Sequence, residues 1–206
     1  MADKLPTHLG GHMNRTHIDR GALEFAQTMG CSSMLDIGCG PGGQVKLARE
    51  MGMTATGVDG DPNVQPDILH DFCDATLPLQ PAVDLAWSCE FLEHVDEKYL
   101  TNTMSAFTSC CPSVIMVCGA PPGKKGHHHV NCQTHEYWIK AFTDEGYKFD
   151  PFLTEELRSK STMKREFMRK NGLVFVCPHS SVGRAAGHRF ESDCGLSLHQ
   201  HTSDHK

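Results

Sequence analysis

The chain has 206 residues, 39% of them apolar, and a formal net charge of −6. That length fits one domain with short appendages. The acidic balance argues against broad electrostatic binding to nucleic acid and leaves room only for a local basic face.

Residues 19–29 read as a helix preceding a first strand, Ser33–Ile37, which runs into a glycine-rich turn. A helix over 43–51 follows, then a strand Thr54–Asp59 and a short third strand at 67–70. Residues 83–88 make the fourth strand, 97–108 a helix, and 113–118 the most apolar strand. Continuous apolar runs of this kind are buried parallel strands. A Gly/Pro/His loop over 119–130 leads to a helix at 134–145, then one long helix at 154–170 and a last strand at 172–177. Strands alternating with helices predict an α/β fold. We expect a Rossmann-like, mostly parallel sheet with an antiparallel edge strand and helices on both faces. The division is an N-terminal segment, 1–18, a domain, 19–177, and a tail, 178–206, without apolar periodicity, read as disordered.

No apolar h-region opens the chain, so a secretory signal is not expected. The longest apolar run, residues 114–120, is too short to span a bilayer. Ten cysteines without CxxC spacing read as buried free thiols rather than a zinc ribbon. A reducing, cytoplasmic setting fits these features.

The strongest local signal is Met34-Leu35-Asp36-Ile37-Gly38-Cys39-Gly40-Pro41-Gly42-Gly43. Gly38, Gly40 and Gly43 satisfy GxGxxG, which alone points equally to a nicotinamide cofactor. Glycine lets the backbone turn sharply and approach a ligand, and the next helix N-terminus offers N–H groups to an anion. Asp36 on the strand and the Gly-Pro-Gly turn favour a different reading. The string closely resembles motif I of class I S-adenosylmethionine-dependent methyltransferases.

The resemblance extends along residues 14–177. Asp59, at the end of the second strand, resembles the family's ribose-binding acid, with Asp61 the weaker candidate. Asp71 resembles the residue that holds the adenine amino group, with Phe72 flanking the ring. Residues 84–95, DLAWSCEFLEHV, resemble motif IV and place Glu90 at the cofactor. The implied cofactor is S-adenosyl-L-methionine, and the implied activity is methyl transfer to an acceptor that the motifs do not specify.

Ligands sit outside the carboxyl ends of parallel strands, and His-bearing segments lie there. Residues 126–133, GHHHVNCQ, followed by a Glu-Tyr-Trp-Ile helix, are similar to a subgroup of bacterial and phage methyltransferases, in which the HVN segment lines the acceptor pocket. His94 and His129 are thus candidate general bases or positioning groups, and Asn131 an acceptor-orienting one. A small-molecule or saccharide-like acceptor is the leading expectation. A cofactor-binding protein without catalysis and an RNA methyltransferase are the alternatives. No metal is expected: standard ligand spacing is lacking, and adjacent loop histidines rarely converge on one ion unless His94 or Glu93 joins them.

Residues 12–19 read either as a polar lid over the cofactor or as a frayed terminus capped by Thr16 or Asp19. Arg158, Lys160, Lys164, Arg165, Arg169 and Lys170 form either a solvated helix face or a contact for an anionic acceptor. In the tail, Ser180–Ala185 and Arg189–Ser192 resemble peptide read through the D- and T-arms of a bacterial tRNA gene, with a short spacer between them.

Overall fold

A computed structural model describes residues 5–9 and 15–180. The tail's tRNA-like segment, apart from Ser180, lies outside the described residues, as do positions 1–4 and 10–14 of the N-terminal segment. The elements in order are α1 (Arg20–Thr28), β1 (Ser33–Ile37), α2 (Gly43–Glu50), β2 (Thr54–Asp59), β3 (Ile68–Leu69), β4 (Leu85–Cys89) and α3 (Leu100–Thr108). They continue with β5 (Val114–Cys118), α4 (His135–Asp144), β6 (Lys148–Phe149), α5 (Pro151–Lys160), α6 (Phe167–Asn171) and β7 (Leu173–Val176). The strands form one sheet in the order β3-β2-β1-β4-β5-β7-β6. The first five are parallel, and β7 runs antiparallel to β5 and β6.

Alternation along the strands builds a core on each face. Met34, Ala55, Leu85, Trp87, Val114, Met116 and Val174 pack toward α1, α2, α5 and α6. Leu35, Val58, Ala86, Ile115, Val117, Leu173 and Phe175 pack toward α3 and α4. Burial on both faces is why these strands read as unbroken apolar runs. The starts of β1 and β4 are tied by Asp84, whose carboxylate accepts hydrogen bonds from the backbone and hydroxyl groups of Ser32 and Ser33 at 2.8–3.0 Å. Among the described residues no helix is long and apolar enough to cross a membrane.

The structure differs from expectation at the C-terminal side. The terminal strand β7 is not the outermost one, because β6, which the periodicity missed, pairs outside it through Lys148↔Val176 and Phe149↔Phe175. Two residues carry too little pattern to register as a strand. The expected helix over 154–170 is also broken, with α5 ending at Lys160 and α6 starting at Phe167. The cause is Asp19, the N-cap of α1, which is fully buried. Its carboxylate accepts from Ala22 N at 3.0 Å, from Thr162 N at 2.9 Å and from the Ser161 hydroxyl. Residues 161–162 leave the helix to make these bonds. Gly21 permits the approach: a Cβ there would lie 2.0 Å from the Lys160 carbonyl oxygen.

Asp19→Ala should therefore destabilise the fold by about 3 kcal/mol, since several buried donors lose a carboxylate acceptor. For a chain of this size that is a fall of roughly 6–12 °C in Tm. An unchanged melting curve would mean that the α5–α6 break has another cause.

Candidate active site

A cavity of about 400 Å³ opens where β1, β2 and β4 end. That is within the range of small-ligand sites. Of the residues singled out in the sequence, Asp36, Gly38, Gly40, Asp59, Asp71, Phe72, Glu90, His94 and His129 line it.

The first wall is the turn after β1. Gly38 and Gly40 have φ of +73° and +51°, a region that suits glycine. A Cβ on Gly38 would stand 2.4 Å from the Phe91 ring. The Asp59 carboxylate holds the turn in place, with Oδ2 accepting from Gly40 N at 2.8 Å and Oδ1 from Asp61 N at 2.9 Å. Gly43 sits differently. It opens α2 outside the cavity lining, and its N–H donates to Thr16 Oγ1 at 3.0 Å. A Cβ there would meet Thr16 at 2.7 Å. Its small size thus serves close packing of the N-terminal segment, and its N–H is turned to Thr16 rather than to an anion.

Asp71 and Phe72, expected from the sequence at the adenine, line a further part of the cavity. Phe72 is buried and packs edge-on to Phe91, with centroids 4.7 Å apart. Asp71 Oδ1 accepts from Cys73 N at 2.8 Å, and Oδ2 bonds His8 Nε2 at 2.8 Å. The N-terminal segment therefore reaches the cavity at both ends, through His8 and Thr16. His8, Leu9, Arg15, Thr16 and His17 are all lining residues.

The opposite wall is built by the turn after β4 and the loop after β5. Glu90 leaves β4 with φ of +54°, an uncommon conformation for a non-glycine residue and one that clusters at sites. The Glu93 carbonyl accepts from Val130 N at 2.9 Å and Asn131 N at 3.1 Å. This clasp brings the His94 and His129 rings to a centroid distance of 5.0 Å. His129 Nδ1 lies 3.0 Å from the Lys124 carbonyl oxygen. A carbonyl only accepts, so Nδ1 carries the proton. In the neutral ring Nε2 then keeps its lone pair, 3.9 Å from Glu93 Oε1.

Asn131 departs from its expected role. It is buried outside the cavity lining, with Nδ2 donating to Val95 O at 3.0 Å and Oδ1 accepting from Gln133 Nε2 at 2.9 Å. With its amide engaged on both sides, it locks the loop to the turn and does not meet a ligand. Sequence reading passed over Trp87, Cys89 and Phe91 as lining residues, and of two further ones, Phe167 and Arg165, it offered only Arg165, as a possible acceptor contact. The last two arrive from the α5–α6 break, which no local pattern announces. Elsewhere the basic cluster is largely paired on its own surface, as Arg158–Glu155, Lys160–Glu156 and Lys170–Glu166.

Burial dominates the electrostatics. Asp36 is pushed up to about 8 by desolvation and, secondarily, by the Asp59 charge. Glu90 and Glu93 are raised for the same first reason, Glu93 further by Glu90. The site thus stores protons that a cationic ligand would displace. The folded protein binds more protons than the unfolded chain between the ordinary carboxyl pKa and the raised one. Stability of the free protein should therefore fall as pH rises through that window. Affinity for a cationic ligand should rise over about pH 6 to 8, by up to about tenfold per unit. Calorimetry with S-adenosylmethionine in buffers of different ionisation enthalpy should record proton release. Uptake, or a flat profile, would show that Asp36 is already ionised.

These features fit S-adenosylmethionine: glycines that let a ligand approach, carboxylates able to take cationic and hydroxyl groups, and the rings of Phe72 and Phe91 as an apolar surface. Residues 35–110 match a family described as a methyltransferase domain. No curated protein matches the chain. Among solved structures, the chain is similar to the sugar N-methyltransferase KedS8 from Streptoalloteichus, at 13% identity and TM-score 0.57, over 81% of this chain and 90% of that one. It is similar to a TehB-like S-adenosylmethionine-dependent methyltransferase from Corynebacterium glutamicum, at 16% identity and TM-score 0.55, over 76% and 87%. Human N-acetylserotonin methyltransferase, solved with S-adenosylmethionine, aligns at 15% identity and TM-score 0.52, over 77% and 51%. Residues 35–110 thus match a methyltransferase domain, the whole sheet is Rossmann-like, and the cofactor this match supports is S-adenosyl-L-methionine.

Proposed function

We propose that the protein transfers a methyl group from S-adenosylmethionine to a small-molecule or saccharide-like acceptor. The observation that carries this reading is that the candidate cofactor residues and the candidate transfer residues line one cavity. We read Asp36, Gly38, Gly40, Asp59, Asp71 and Phe72 as the cofactor wall and His94 and His129 as the acceptor wall, with Glu90, which the motif puts at the cofactor, on the turn that leads to His94. The bound cofactor supplies an activated methyl on a sulfonium, so the protein's main task is alignment. The acceptor atom forms the new bond to carbon as the carbon–sulfur bond breaks, its electron pair passing to sulfur. A hydroxyl acceptor also loses its proton, and the Nε2 lone pair of His129 is available on that side. His94 is the second candidate.

The N-terminal segment, 1–18, of which residues 5–9 and 15–18 are described, is read here as a lid. His8 bonds the adenine-side Asp71, and Thr16 closes over the start of α2. A lid excludes water from the transfer site. The pairing of Arg158, Lys160 and Lys170, half of the basic cluster, favours a small acceptor over RNA, because paired cations have less to offer a phosphate chain.

Two measurements test the proposal. Calorimetric titration should show binding of S-adenosylhomocysteine and none of NAD. Incubation with S-adenosylmethionine labelled in the methyl group should transfer label to a low-molecular-weight fraction of a cell extract. Binding without transfer to any fraction would leave a cofactor-binding protein, and label in RNA would move the acceptor class.

A further inference from the structure

We propose that Glu93, His94 and His129 together hold a divalent transition-metal ion at the acceptor wall, a site the ligand spacing did not predict. One ligand atom from each of the three residues lies within 4.8 Å of the others. Ligands at roughly 2.1 Å from a shared tetrahedral ion stand about 3.4 Å apart. A closure of up to roughly 1.4 Å, made by side-chain torsions, therefore completes the set. The consecutive histidines do not converge on one another. One of them meets a Glu-His pair from a different strand end.

A second observation is independent of that proximity. The Glu93 side chain is wholly buried, and among the described residues its carboxylate has the backbone N–H groups of Glu93 and Ala120 near it but no hydrogen bond of ordinary geometry. Buried polar groups normally have partners, and buried carboxylates are normally paired or bound to a metal. A cation between Glu93 and His129 supplies what the protein does not. A third feature agrees: His129 donates Nδ1–H to the Lys124 carbonyl. This is the usual arrangement of a metal-binding imidazole, whose other nitrogen is fixed toward the ion. Glu90, on the turn that leads to His94, adds a carboxyl near the site.

Two imidazoles and one carboxylate suit borderline ions such as Zn²⁺ or Co²⁺ rather than Mg²⁺ or Ca²⁺, which prefer all-oxygen sites. Three protein ligands leave coordination positions open toward the cavity, where an acceptor oxygen would bind. This inference rests on the reading of that wall as the acceptor side. With the ion in place, His129 serves as a ligand, and the acceptor's proton becomes more acidic through the metal.

The test is titration of the purified full chain with Co²⁺, followed by visible absorption and calorimetry, with S-adenosylhomocysteine affinity measured in parallel. We expect one equivalent of Co²⁺ bound with the bands of a low-coordinate ion and displaced by Zn²⁺. Glu93→Gln and, separately, His94→Asn should each weaken it at least tenfold, with S-adenosylhomocysteine affinity nearly unchanged. If Glu93→Gln fails to fold, His94→Asn alone decides. Absence of stoichiometric binding overturns the proposal, as does binding that survives these substitutions. So does a thiolate charge-transfer band lost in Cys73→Ser, which would place the ion at His8, Asp71 and Cys73, whose ligand atoms also lie within 4.8 Å of one another. Loss of S-adenosylhomocysteine binding by the wild type with cobalt binding intact would instead sink the cofactor reading and leave the metal site standing.

Discussion

Replacing Gly40 by valine is expected to weaken S-adenosylhomocysteine binding by about 10²-fold or more. The residue sits at φ of +51° in the turn that walls the cavity. A β-branched side chain resists that conformation by roughly 1–3 kcal/mol. Relaxing to negative φ would draw Gly40 N away from Asp59 Oδ2, which accepts from it at 2.8 Å. The turn and its acid would then shift together. Either response damages the cofactor wall, since a side chain that stays in place occupies the ligand's approach. Calorimetry gives the affinity, and a melting curve separates local damage from unfolding. A variant that binds normally would show that the ligand does not lie against this turn.

His129→Ala should lower turnover by about 10²–10⁴-fold, the usual cost of a missing proton-transfer group, while cofactor affinity stays nearly constant. The partition follows from position. The cofactor wall is made by the ends of β1 and β2 and the residues after β3, whereas His129 enters from the loop after β5 and faces Glu93. The assay is label transfer to the acceptor fraction, with S-adenosylhomocysteine titration alongside. Wild-type turnover would pass the role to His94. Lost cofactor binding would mean that the loop holds up both walls. Added Co²⁺ gives a discriminating readout: it should change the pH profile of turnover if the imidazole is held by metal and leave it in place if the imidazole is a free base.

The glycine turn that walls the cavity was readable because its chemistry is local. Asp36, Gly38 and Gly40 lie within a few residues of one strand end, and the turn they make follows from glycine's access to positive φ. Asp59 and Asp71 follow their strands closely, so strand reading places them at one edge of the sheet. The strands themselves were readable because burial on both faces leaves unbroken apolar runs, as in Val114–Cys118. Gly43 was placed correctly at the start of α2, but its neighbour Thr16 lies 27 positions away, and nothing local says that its N–H is taken.

The acceptor wall depended on contacts between distant segments. Asn131 looked like a ligand group beside His129 in the sequence, and only the bonds to Val95 and Gln133 reveal it as the lock of the loop. Glu93 looked like one acid among several until its burial left both oxygens short of hydrogen bonds of ordinary geometry among the described residues. The break between α5 and α6, which carries Arg165 and Phe167 to the cavity, is set by Asp19, more than 140 positions away from Ser161. Local sequence thus determined the sheet, the glycine turn and the carboxylates at its edge, since periodicity and backbone preference act over a few residues. Tertiary packing alone decided which histidine meets Glu93 and which polar groups are left short of hydrogen bonds, because those depend on how separate loops dock.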